Sequence, residues 1–207
     1  MRIVAGKFGG RVLFTPKTGS IRPTQDRVRE SLFNIIAGTV PNAAFLDLFA
    51  GSGSVGLEAL SRGAASATFV ERDRRHAEVL KRNIAALGPD ATARSTVIVA
   101  DAYRWIESFS GTVPIGFVGS VPTPMGTPMG TVPTGFSIVF ADPPYALGEE
   151  RGYESVLATL AERNIVRPGG LFIAESESAQ QPVQSVGWEL VRDRTYGKTR
   201  LAIWRRP

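Results

Sequence analysis

At 207 residues, 43% of them hydrophobic, the chain is long enough for one domain with a buried core and room for a small appendage. It has no cysteine and a single histidine, His76, which removes disulfides, thiolate metal sites, cysteine nucleophiles and any zinc cluster together. The net charge of +5 is segregated: residues 1–30 carry seven Lys/Arg against two acids and residues 189–207 carry six against two, so the ends hold +9 and the middle −4, the footprint expected of a surface that meets phosphates.

The amino terminus, MRIVAGKFGG, lacks the regions of a signal peptide, and no run of the roughly 18 apolar residues needed for a membrane span occurs. A cytoplasmic protein without membrane attachment is expected. The first elements are a glycine-centred β-hairpin in RIVAGKFGGRVLFTP and a helix in TQDRVRESLFNIIAG. Thr24 is placed to cap that helix, with Val28, Leu32, Ile35 and Ile36 as its buried stripe and with Arg27 and Arg29 free to face away from the core.

From Phe45 onward, short apolar runs alternate with amphipathic stretches, the pattern of a mostly parallel sheet with helices on both faces. Strands are expected at AAFLDLFA, SATFVE, STVIVA, FSIVFA, GLFIAES, WELVRD and TRLAIWR, and helices at residues 54–62, 74–87, 101–109 and 150–163, the first two of these helices stopped by Gly63 and Gly88. The last two strands, joined by the turn Thr195-Tyr196-Gly197-Lys198, form an antiparallel hairpin at one edge. Residues 111–135 break the pattern: Gly and Pro fill eleven of these twenty-five positions and TPMG is repeated in tandem, which reads as an insertion without regular structure. The expected organisation is thus an appendage over 1–40 and a main domain over 41–207.

Two motifs carry chemistry. In LDLFAGSGSVGLEAL, Ala50 precedes Gly51, Gly53 and Gly56, whose G-x-G-x-x-G spacing lets the chain turn sharply out of a strand and offers backbone N–H groups to a ligand. Glu71, at the end of the second strand and followed by Arg72, is placed to accept hydrogen bonds from the two hydroxyls of a ribose. NAD and S-adenosylmethionine both contain adenosine, so this pair does not separate them. Asp47, four residues before Gly51, favours S-adenosylmethionine, because an acid there suits the ammonium of a methionine moiety and not a pyrophosphate. Asp101 is placed to meet the adenine amino group and Ala102 to supply a backbone N–H, although an N-cap role serves Asp101 equally.

The second motif, IVFADPPYALG, is an apolar strand ending in Asp142-Pro143-Pro144-Tyr145. An exocyclic amine on a base is a poor nucleophile, since its lone pair is delocalised into the ring. A site that methylates it needs acceptors for both N–H groups. The Asp142 carboxylate and the Pro143 carbonyl are the expected acceptors; Pro143 and Pro144 contribute no competing donor and fix φ near about −65°. Tyr145 offers an aromatic face for an extruded base. Each motif alone is weak, but their order along one chain points to a metal-free, S-adenosylmethionine-dependent amino-methyltransferase acting on nucleic acid.

RIVAGKFGGR, IRPTQDRVRESLFN, LDLFAGSGSVGLEALSRGA, FVERD, FADPPY and RTYGKTRLAIW together resemble the bacterial small-subunit (16S) rRNA guanine-N2 methyltransferases of the RsmD type, over nearly the whole chain apart from 111–135. The resemblance implies a class I (Rossmann-like) α/β fold, S-adenosylmethionine as donor, and a guanine of 16S rRNA in the small ribosomal subunit as acceptor. A monomer is expected. The residues expected to meet RNA are Lys7, Arg11, Arg22, Thr24, Arg27 and Arg29 near the start and Lys198 and Arg200 in the last hairpin. Three other readings stay open. A DNA adenine-N6 or cytosine-N4 methyltransferase usually adds a sequence-reading domain for which this chain has little room. A nicotinamide-dependent oxidoreductase would rest on the glycine loop alone, and a non-catalytic RNA-binding assembly factor would leave the D-P-P-Y segment idle.

Overall fold

The computed structural model describes residues 1–15, 26–110, 135–143 and 145–207, with the side chains of 145–152 left aside. The elements run α1 (Asp26–Ile35), β1 (Ala44–Asp47), α2 (Ser54–Ser61), β2 (Ser66–Glu71), α3 (Arg74–Ala86), α4 (Pro89–Ala93), β3 (Ser95–Val99), α5 (Ala102–Ser108), β4 (Phe136–Ala141), α6 (Tyr145–Glu162), β5 (Val166–Glu177), β6 (Glu189–Tyr196) and β7 (Thr199–Arg205). The seven strands form one sheet in the order β3-β2-β1-β4-β5-β7-β6. The first five are mutually parallel, while β7 runs antiparallel between β5 and β6. Chain order reverses between β1 and β4, which opens a crevice at the carboxyl ends of those strands, where ligands of open α/β sheets lie.

Alternation along the strands feeds two cores. Phe45, Phe69, Phe140, Ile173 and Ile203 face α1, α2 and α3, whereas Leu46, Val70, Val139, Phe172 and Trp204 face α5 and α6. β4 is buried at all six positions, as a central parallel strand covered on both faces must be. Gly63 and Gly88 adopt φ of 100° and 99° and stop α2 and α3 as expected. The short α4, with Pro89 in its first turn, was not foreseen, and α6 begins at Tyr145 instead of residue 150. Among the described residues no helix is long and apolar enough to cross a membrane.

The amino-terminal segment joins the first core through Ile3, Phe8 and Leu13, with Val28, Leu32, Phe33 and Ile36 of the α1 region. Its hairpin has a single β-bridge, Arg2 with Val12, in place of two strands. The tip is held instead by α2: Lys7 N–H donates to the Ser61 carbonyl (2.8 Å) and Phe8 N–H to the Ser61 hydroxyl (2.9 Å). The expected stripe of α1 is rotated. Ile35 is 37% exposed, and Phe33 and Arg29 are buried in its place.

Arg29 therefore does not face RNA. Its guanidinium donates to the Arg2 carbonyl and to Asp26 (2.8 Å) and lies 3.6 Å from Glu58 on α2. A charge taken from water requires such partners, and Glu58 also accepts from the N–H groups of Val4 (2.6 Å) and Ala5 (3.0 Å) and from Arg62 (2.7 Å). This network bolts the amino-terminal segment to α2.

Candidate active site

The glycine loop follows β1. Ala50 N–H reaches back to the Val70 carbonyl of β2 (3.1 Å), Gly51 turns with φ 53°, and Gly53 takes φ 83° as the residue before α2. A side chain at Gly53 would be strained by that φ. At Gly56 the demand is spatial: a Cβ would lie 2.3 Å from the Phe69 ring, so only glycine lets α2 lie this close to β2. The amino end of α2 is thereby brought to the edge of the sheet.

Two carboxylates shape this loop. Glu71 accepts from Gly51 N–H (2.8 Å) through one oxygen and from Asp73 N–H (2.8 Å) through the other, with His76 Nδ1 3.9 Å away. Asp47 is only 2% exposed and accepts from Gly56 N–H (3.1 Å). Burial, reinforced by the negative charge of Glu71, pushes the Asp47 carboxyl up to about 7, against the opposing hydrogen bond from Gly56. Two neighbouring acids in one buried edge call for a cation and hydroxyl donors, which is the donor set of an amino-acid ammonium and a ribose. Arg72, next along, is exposed.

Asp101 caps α5 by accepting from Arg104 N–H (3.0 Å), and Ala102 is buried in the first turn. The cap reading of Asp101 is therefore realised through one of its oxygens. The motif that ends β4 lies beside this turn. Leu48 and Phe49, Ala102 and Tyr103, Ala141 and Pro143 line one apolar pocket, together with Tyr153 from α6. Asp142 is half-buried at its edge, and its charge, after burial, contributes to pushing the Tyr153 phenol above its ordinary value. Tyr153 donates to the Glu175 carbonyl of β5 (2.7 Å). Pro144 lies outside the described residues, and Tyr145 is seen as the first residue of α6 without a described side chain.

Residues from β1, α5 and β4 thus meet at one edge. Sequence reading missed Phe49, Tyr103 and Tyr153, although Phe49 and Tyr103 stand beside motif residues and their rings contact edge-on at 5.5 Å. Among the described residues no group of acids and histidine is disposed to hold a metal.

The expected RNA-facing residues separate. The turn between β6 and β7 falls at the carboxyl end of β5, as the pairing of Glu177 with Thr199 shows, so Lys198 is exposed on the same side as the pocket. Arg200 is half-buried, 3.1 Å from Asp193 and donating to the Gln180 carbonyl (2.7 Å). Lys7 points elsewhere: it sits beyond the end of α2 and pairs with Asp90 of α4 (3.1 Å), at the opposite edge of the sheet. Arg11 and Arg27 are exposed, while Arg22 and Thr24 lie outside the described residues, as do 111–134 of the Gly/Pro-rich segment.

A family model described as conserved hypothetical protein 95 matches residues 1–117 and 128–205, the break lying inside that segment. The chain is 33% identical over 207 residues to ribosomal RNA small subunit methyltransferase D of Escherichia coli strain K12, covering 100% of this chain and 90% of that protein. It is 32% identical over 197 residues to the protein of the same name from Haemophilus influenzae, covering 95% and 89%. Among solved structures, yhhF from Escherichia coli superposes with a TM-score of 0.77 at 33% identity, over 100% of this chain and 97% of that one. An RNA methyltransferase from Salinibacter ruber in complex with S-adenosyl-L-homocysteine superposes at 0.60 and 13% identity, over 90% and 94%, which is likeness of fold.

Proposed function

The chain belongs to the RsmD family of ribosomal RNA small subunit methyltransferases, and from that premise we propose that it methylates the exocyclic N2 amine of a guanine in 16S rRNA, with S-adenosylmethionine as donor. The observation that carries the reading is the convergence of the glycine loop, the Asp101–Ala102 turn and the Asp142–Pro143 segment on one edge of a class I methyltransferase sheet. The assembled small subunit is the substrate, the enzyme acts as a monomer in the cytoplasm, and no metal takes part. Residues 41–207 carry the transfer chemistry, and residues 1–40 dock on them as an RNA-facing appendage.

In this reading S-adenosylmethionine supplies the electrophilic methyl group. Glu71 holds the ribose hydroxyls, Asp47 the ammonium, and Gly51 and Gly53 let the ligand approach the backbone, with Ala50 and Arg72 flanking them. The second oxygen of Asp101 and the N–H of Ala102 read the adenine. Asp142 and the Pro143 carbonyl accept the two N–H bonds of the guanine amine, which draws its lone pair out of conjugation and aims it. The reaction then depends on positioning. Once methylated, the nitrogen is cationic and gives up its proton without a strong base.

Asp47 yields a pH test. An ammonium is held by the carboxylate form, so affinity for S-adenosylhomocysteine rises as pH passes through about 7, by about tenfold between about pH 6 and about pH 8. Asp47→Asn flattens that dependence in calorimetric titrations. The free protein runs in the opposite sense: the raised folded value means that the contribution of Asp47 to stability declines from the unfolded value of 3.8 up to about 7.

The function itself is tested by transferring labelled methyl groups to small-subunit particles and to naked 16S rRNA, followed by nucleoside analysis. N2-methylguanine formed on particles is the expected product. N6-methyladenine would overturn the substrate, and tight NAD binding without S-adenosylhomocysteine binding would overturn the cofactor.

A further inference from the structure

Among the described phenylalanines and tryptophans, Phe14 alone is exposed, at 42% of its surface, next to Val12 at 78%. It is not loose. Its N–H donates to Asn83 Oδ1 (2.8 Å), and Asn83 Nδ2 donates to its carbonyl (3.0 Å) and to the Ser52 carbonyl of the glycine loop (2.9 Å). Asn83 is 1% exposed, so this clamp is a buried, pre-organised support. The guanidinium of Arg82, one residue earlier on α3, lies over the Phe14 ring at 3.6 Å from its centroid, and among the described residues no carboxylate comes within ion-pair distance of it.

An exposed aromatic fixed by its backbone costs apolar hydration without contributing to the core, and the guanidinium over the ring still leaves 42% of Phe14 exposed. Arginine planes and aromatic rings are surfaces on which unstacked RNA bases settle. The position is also informative. The hairpin tip lies at the far end of α2, but its open end reaches the glycine loop, where Met1 also contacts Ser52 (3.7 Å). Phe14 therefore stands beside the glycine loop, tied through Asn83 to the Ser52 carbonyl, on the α3 face of the sheet.

We infer that Phe14 and Arg82 form a stacking platform for an unpaired base of single-stranded RNA, a contact separate from the clamp on the target guanine. It rests on the rRNA reading above. Asn83 acts as a positioning residue, tying the platform to the backbone of the glycine loop, so that RNA seated there is held in register with the methyl donor.

Phe14→Leu keeps apolar volume and removes the ring, Arg82→Lys keeps charge and removes the plane, and Phe14→Tyr keeps the ring. The first two raise KM for small-subunit particles about tenfold, the loss of one stacked base, with kcat and S-adenosylhomocysteine affinity unchanged, while Phe14→Tyr behaves as wild type. In a second measurement, Phe14→Trp gains fluorescence that short single-stranded RNA quenches beyond the response of the native tryptophans. Unchanged KM for Phe14→Leu and Arg82→Lys, or no added quenching in Phe14→Trp, would overturn the platform. The quenching does not depend on turnover: a wild-type protein that fails to methylate rRNA sinks the function reading, whereas active wild type with a silent Phe14→Trp probe sinks only the platform.

Discussion

Asp142→Ala is expected to lower kcat for methyl transfer by about 10²–10³, the range seen when one preorganised hydrogen-bonding group is removed from a reacting centre, with S-adenosylhomocysteine affinity within about twofold of wild type. The residue follows a strand buried at all six positions and paired on both sides, Asp47 with Phe140 and Ala141 with Ala174. Such a strand does not relax to compensate for a lost carboxylate. Asp142→Asn separates two roles. If the carboxylate works as an acceptor that orients the amine, the amide oxygen keeps that function and kcat falls only about tenfold. If the carboxylate removes a proton in the rate-limiting step, Asn and Ala are equally damaging. Single-turnover kinetics with particles measure the difference, and equal transfer by Asp142→Ala and wild type would make the D-P-P-Y segment non-catalytic.

The first four strands were legible because each is short, largely apolar and closed by a motif residue: Asp47, Glu71, Asp101 and Asp142 stand at or just after the ends of β1, β2, β3 and β4. That placement follows from the parallel topology, in which every strand delivers its next residue to the same edge. The amino-terminal region was read less well for two physical reasons. Periodicity treats arginine as a solvent residue, yet Arg29 belongs to the inner face of α1 because an acid waits there; the hint was Glu58, the lone charged residue in the helix SVGLEALS. The basic residues of the hairpin were also counted together, although sequence cannot say which end of a hairpin meets which edge of a sheet. The two ends lie apart here, with Lys7 against Asp90 and Phe14 against Asn83.

Glu58→Ala is the substitution expected to cost most stability, about 3–5 kcal/mol, the range for breaking a buried ion pair from one side. Glu58 is completely buried and holds four partners: Val4 N–H, Ala5 N–H, Arg62 and Arg29. Its removal takes a carboxylate away from Arg29, itself 0% exposed, and strands two backbone donors. For a chain of this size the loss corresponds to a fall in Tm of roughly 10 °C, measurable by calorimetry. Glu58→Gln keeps an acceptor and the side-chain volume and is expected to lose less. The double variant Glu58→Leu with Arg29→Met removes both charges from the core and is expected to recover part of the deficit, because apolar side chains of similar volume need no counter-charge. If the double variant is instead as unstable as Glu58→Ala, the two backbone N–H groups of the amino-terminal segment, and not the charge on Arg29, are what Glu58 chiefly serves. Either result bears on function through the same joint. The segment that Glu58 bolts down is the one that brings Phe14 to the glycine loop, so Glu58→Gln is expected to weaken particle binding before it weakens S-adenosylhomocysteine binding.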